Sequence, residues 1–168
     1  MLYINFLDTL LIWGQSQKRV RAITLVELLI AIAILGTLSA IAVPSYNNYI
    51  DKARNSTAIV DIREIELGIV RFQAVNGRLP NTLAEAGLPT KLDPWGRLYS
   101  YLRIQGGVEK DIQKHGRKDR STHPINTDFD LYSMGKDGRS QQPLTAKASH
   151  DDIVRANNGA FVGLASDY

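Results

Sequence analysis

The chain has 168 residues, an apolar content ordinary for a globular protein and a formal charge of +3; this excludes wholesale disorder and leaves room for one ordinary domain, or one small domain plus a membrane element. Lys18, Arg19 and Arg21 against Asp8 leave only about +1 for everything after Ala22, too little to signal nucleic-acid binding. Cysteine is absent, which excludes disulfides, thiolate metal sites and a cysteine nucleophile but not an extracytoplasmic location.

Residues 1–13 are apolar but short and carry Asp8; they read as an unusual leader or a mis-set start. From Ile23 to Val43, about 20 residues carry Glu27 as their only charge, and at ~1.5 Å per residue they cover a hydrocarbon core of ~30 Å. This is a transmembrane helix candidate. The cations just before it place that end in the cytoplasm and send the C-terminal part across. A secretory signal fits poorly, because the apolar run is too long and Ser39-Ala40-Ile41 is a weak cleavage site.

Past Pro44 the apolar pattern becomes one-sided, with Ala58, Ile62, Ile65, Ile69 and Phe72 at alternating steps of four and three. That spacing predicts an amphipathic helix, with Asp51, Lys52, Arg54, Asp61, Arg63, Glu64, Glu66 and Arg71 on its polar positions and Asn76-Gly77 as its stop. Pro44 is expected to kink the helix without ending it, since helical patterning resumes at once. Turn residues follow in Leu79-Pro80-Asn81, Gly87-Leu88-Pro89 and Asp93-Pro94-Trp95-Gly96; Leu98–Leu102 and Phe129–Ser133 then read as strands. Residues 103–127, with Lys110, Lys114, Arg117, Lys118 and Arg120, read as a solvated loop or long hairpin tip, and everything from Gly135 onward reads mostly as loop. The expected fold class is α+β: a long N-terminal helix on a small antiparallel sheet with a long C-terminal loop region. Its segments are a leader at 1–22, a membrane or filament-core helix at 23–43, an amphipathic continuation at 44–77 and a small domain at 78–168.

A carboxylate near the centre of a bilayer costs about 3 kcal/mol on insertion scales, less toward an end, so Glu27 calls for a partner unless it is solvated at the interface. A free α-amino group is the cheapest one. Cleavage between Ala22 and Ile23 creates such an amine on Ile23, and a neighbouring copy in a helical array can offer its own to Glu27, fixing the axial register of adjacent helices.

With its basic leader, Ile23, Thr24, Leu25, Glu27 and Pro44, the stretch over roughly residues 18–54 resembles the type IV pilin and pseudopilin superfamily. The resemblance implies cleavage by a prepilin peptidase between Ala22 and Ile23, N-methylation of Ile23, and assembly through Glu27 and Pro44. Two positions depart from the family pattern: Ala22 stands where glycine is usual and Ile23 where phenylalanine is. Further on, Asn76–Thr82, Asp93–Tyr101 and Leu131–Gly138 look like the soluble domain of the major pseudopilin of type II secretion. That likeness implies a calcium ion in the C-terminal loop, held by Asp137 and the Met134 main-chain carbonyl with Asp151 or Asp152 as a second carboxylate. From the residues alone, a solvated acidic turn fits equally well.

The implied function is structural: a single-pass bacterial inner-membrane subunit, N-terminus cytoplasmic and C-terminal domain periplasmic, that enters a periplasmic pseudopilus. Its implied partners are copies of itself, other pseudopilins, the prepilin peptidase and the inner-membrane assembly platform. A type IV pilin for adhesion, twitching or DNA uptake is the alternative, followed by a membrane-anchored periplasmic enzyme or binding module. No catalytic constellation supports the last. His115, His123 and His150 lack metal-ligand spacing, and no nucleophile elbow, phosphate loop or dinucleotide fingerprint is present. Nucleic acid is not an expected partner either, since residues 103–127 contain no aromatic to stack on bases.

Overall fold

The computed structural model describes residues 22–168, which divide into two compact units between Val43 and Pro44. The leader up to Arg21, with its predicted cationic flank, lies outside the described residues. Helix α1 runs over Leu25–Asn76, with Pro44 inside it. In the first unit every described residue is exposed.

The second unit is built on the one-sided part of α1. Ala58, Ile62, Ile65 and Ile69 are buried, as their spacing predicts, while Phe72 at the end of the seam is only partly covered. Asn76-Gly77 ends the helix: the Gly77 N–H donates to the Gln73 carbonyl at 2.8 Å, and Gly77 takes a positive φ of 70°, open to glycine without a Cβ penalty.

The sheet has strands β1 (Ser100–Arg103), β2 (Phe129–Ser133), β3 (Ile153–Ala156) and β4 (Phe161–Leu164), antiparallel throughout and in the order β1-β2-β3-β4. Two expectations need correction. The 103–127 segment is not simply a loop, since it holds a short helix α2 (Glu109–His115) whose Ile112 is buried. The region after Gly135 is not mostly loop, since it supplies β3 and β4. Ile153-Val154 carries strand character, but it is brief and follows an acidic, turn-rich stretch; pairing with β2 decides it.

Alternation along the strands gives the sheet two different faces. Phe129, Leu131 and Ile153 join Leu79, Tyr99 and the α1 seam in the main core. Val154 and Ala156 point the other way and pack with Ile125, Leu144 and Ala165 in a smaller cluster. Trp95, from the Asp93–Gly96 turn, lies against the main core. That turn is tied by the Asp93 carboxylate, whose Oδ1 accepts the N–H groups of Trp95 and Arg97 and whose Oδ2 accepts the Ser133 hydroxyl at 2.6 Å.

Asp61 is a third correction. Placed by pattern among the polar positions, it is buried, accepting the Tyr99 hydroxyl at 2.8 Å and pairing with Lys91 at 2.7 Å. Burial and this carboxylate raise the Tyr99 phenol well above its ordinary value, so it stays a donor. Arg155 on β3 holds the sheet to α1 through Glu66 at 2.8 Å, pairs with Asp128 at 2.6 Å, and lies 4.0 Å over the Phe129 ring.

Two substitutions test this architecture by urea unfolding of the full chain in detergent. Ile62→Ala removes a fully buried side chain and is expected to cost about 2–5 kcal/mol, whereas Val60→Ala on the exposed face of the same helix changes stability by about 0.5 kcal/mol or less. Tyr99→Phe strips one hydrogen bond from buried Asp61, and a loss of about 1–2 kcal/mol is expected; equal stability would show that Lys91 alone satisfies that carboxylate.

Candidate processing and assembly site

Ala22, Ile23 and Thr24 precede the helix in non-helical backbone, and Ile23 is 76% exposed. The bond between Ala22 and Ile23 is therefore presented outside regular structure. Thr24 is the N-cap of α1 and Glu27 its third helical residue. The Thr24 hydroxyl accepts the Glu27 N–H at 3.2 Å, and Glu27 Oε2 accepts the Thr24 N–H at 2.8 Å and the Thr24 hydroxyl at 2.9 Å. This reciprocal capping box satisfies helix N–H groups that have no intrahelical acceptor and sets the carboxylate at the positive end of the helix dipole. The Thr-x-x-Glu spacing signals it in the sequence, although a reading of Glu27 as a register pin alone leaves that signal unused. Both bonds end on Oε2, and Oε1 is left for a further donor such as an amine.

From Leu25 to Val43 the large apolar side chains are exposed on all sides of α1, among them Leu28, Leu35, Leu38 and Ile41 at 57–72%. Among the described residues, α1 is the helix long and apolar enough to cross a membrane. In the second unit an apolar stripe continues on the face of α1 opposite the sheet, through Tyr46, Tyr49, Val60, Leu67 and Val75. Residues seven or eight apart return to one side of a helix, which places these on a single face.

In the C-terminal loop Asp137 lies beside Asp151, while Asp152 pairs with Arg117. Asp137 is exposed; its Oδ1 accepts the Arg139 N–H at 2.7 Å, and its own N–H donates to Asp151 Oδ2 at 2.8 Å. Met134 lies in the turn directly after β2. Asp152 is fully buried and turned to Arg117, with Oδ2 2.6 Å from the guanidinium and 2.6 Å from the Ser140 hydroxyl. Its Oδ1 is buried without a partner, and burial pushes the carboxyl up to about 6. Among the described residues no group of three acidic or histidine side chains comes together to hold a metal ion. Of the two alternatives for the second carboxylate, Asp152 is thus committed to an internal cation, and Asp151 is the one that lies beside Asp137. Arg117, within a run of lysines and arginines, looks solvated by pattern, yet it is 2% exposed.

Comparison with known proteins agrees with the N-terminal geometry. Residues 17–43 match the family model of the prokaryotic N-terminal methylation motif. The chain is 27% identical to a fimbrial protein of Neisseria meningitidis over 143 residues, covering 81% of this chain and 83% of that protein. It is 28% identical to type II secretion system core protein G of Pectobacterium carotovorum over 149 residues, 75% and 82% of the two chains. To the protein of the same name in Dickeya chrysanthemi it is 29% identical over 153 residues, 85% and 90% of the two chains. No solved structure matches. The methylation motif, the capped apolar helix and these pilin and secretion-protein relatives support a member of the type IV pilin and pseudopilin superfamily, whose related proteins here are structural subunits.

Proposed function

We propose that this subunit is cut between Ala22 and Ile23 by a prepilin peptidase, N-methylated on Ile23, and polymerised into a type II secretion pseudopilus that helps export folded periplasmic proteins. The observation that carries the assembly reading is the exposure of every large apolar side chain from Leu25 to Val43. Such a surface must be covered by lipid before assembly and by like helices after it. Oε1 of Glu27 then takes the amine of Ile23, its own or a neighbour's, so that extraction from lipid exchanges the solvated or capped acid for a paired one. The inner-membrane assembly platform and other pseudopilins are the expected partners, with the N-terminus cytoplasmic and the second unit periplasmic.

The likeness of the Asp93–Gly96 turn and the Leu131–Gly138 segment to a secretion pseudopilin favours the pseudopilus. A surface pilin is the second reading, favoured by the match to the fimbrial protein.

Intact-mass analysis of the mature protein checks processing: a chain starting at methylated Ile23 is expected, and one that retains residues 1–22 would falsify the proposal. In the organism that encodes the chain, deleting its gene should block export of folded periplasmic proteins and leave surface pili and twitching intact; the opposite pattern makes it a pilin. Glu27→Ala should leave membrane insertion intact while filament yield, measured by shearing and sedimentation, falls at least about tenfold, the loss of about 1.4 kcal/mol per interface.

A further inference from the structure

We propose that the buried guanidinium of Arg117 takes the part of a bound cation in closing the 134–152 connection over the outer face of the sheet. A divalent cation closes such a loop by drawing carboxylate, hydroxyl and carbonyl oxygens to one positive centre. Arg117 draws the same three kinds: Nη2 donates to Asp152 Oδ2 at 2.6 Å, and Nη1 donates to the Ser140 hydroxyl and the Gln141 carbonyl, each at 2.5 Å. The planar fork of arginine suits this fixed arrangement, which a flexible lysine would not reproduce. Ser140 completes it by donating its own proton to Asp152 Oδ2 at 2.6 Å.

The guanidinium is held in place from both ends. Its main-chain N–H donates to buried Asp130 Oδ2 at 2.7 Å, and the guanidinium lies 4.5 Å over the Tyr132 ring. The next residue is stitched to the same loop, with the Lys118 N–H on the Gln142 carbonyl at 3.0 Å and the Leu144 N–H on the Lys118 carbonyl at 2.9 Å. A metal ion at Asp152 would therefore face a fixed positive charge across a single carboxylate. Asp137 and Asp151 are left with main-chain N–H groups of their own loop region. The loop thus carries its counter-charge in the chain and closes without metal.

The test is thermal unfolding of the full chain in detergent, followed by near-ultraviolet circular dichroism in chelator and in millimolar calcium. The two melting temperatures are expected to coincide. Arg117→Gln leaves buried Asp152 unpaired, and its melting temperature should fall by on the order of 10 °C in both conditions. Adding Asp152→Asn removes the stranded charge and should recover most of that fall. A calcium-dependent rise in the unaltered chain overturns the proposal, as does an Arg117→Gln variant that melts with the parent or a double variant that recovers nothing. If Arg117→Gln does not fold, the melts of the unaltered chain and of the double variant still decide. None of these readouts requires filament assembly, so the outcome stands apart from the proposed function.

Discussion

Helix α1 is asked to be stable in two surroundings, and most of the chain follows from that demand. Its first half has exposed apolar side chains on every side, so its backbone hydrogen bonds must be closed internally before it meets lipid or other helices. The Thr24–Glu27 box closes the N-terminal end of that ladder. Its second half needs one covered face only, and the Ala58, Ile62, Ile65, Ile69 seam finds it on the sheet. Each isoleucine buried there contributes roughly 1.5–3 kcal/mol, enough in sum to fix the helix against four short strands.

The two faces of the sheet are stabilised in different ways. Toward α1 the contacts are mainly apolar, with polar links let in, among them Asp61 with Tyr99 and Lys91, and Arg155 with Glu66 and Asp128. On the outer face the apolar cluster is small, and a polar hub of Arg117, Asp130 and Asp152 binds the connections that cross it. Buried ion pairs add little net stability because desolvation offsets attraction, but they punish any arrangement in which one partner is left alone. A hub of this kind therefore specifies where the long connections lie more than it strengthens them.

The parts that the sequence discloses are those in which one residue type at one spacing has a single physical outcome. The uncharged run after Glu27, the three-and-four seam and the Asn76-Gly77 stop each depend on neighbours a turn or two away. Strands β1 and β2 are aromatic-rich and were legible for the same reason, whereas β3 and β4 are short segments whose ladder partners make them strands. Arg117 and Asp61 show the complementary failure. A charged residue in a polar stretch reads as solvated, and only a distant partner shows otherwise: Asp152 lies 35 positions from Arg117, and Tyr99 lies 38 from Asp61.

The sequence by itself determined the apolar helix, its stop at Asn76-Gly77 and the seam that docks it, because these follow from local periodicity and composition. The tertiary structure alone decided which of the acids in the C-terminal loop turn inward. Asp152 goes to Arg117 while Asp137 stays at the surface, and no local pattern encodes that choice, because it depends on a desolvated charge meeting its counter-charge across the sheet.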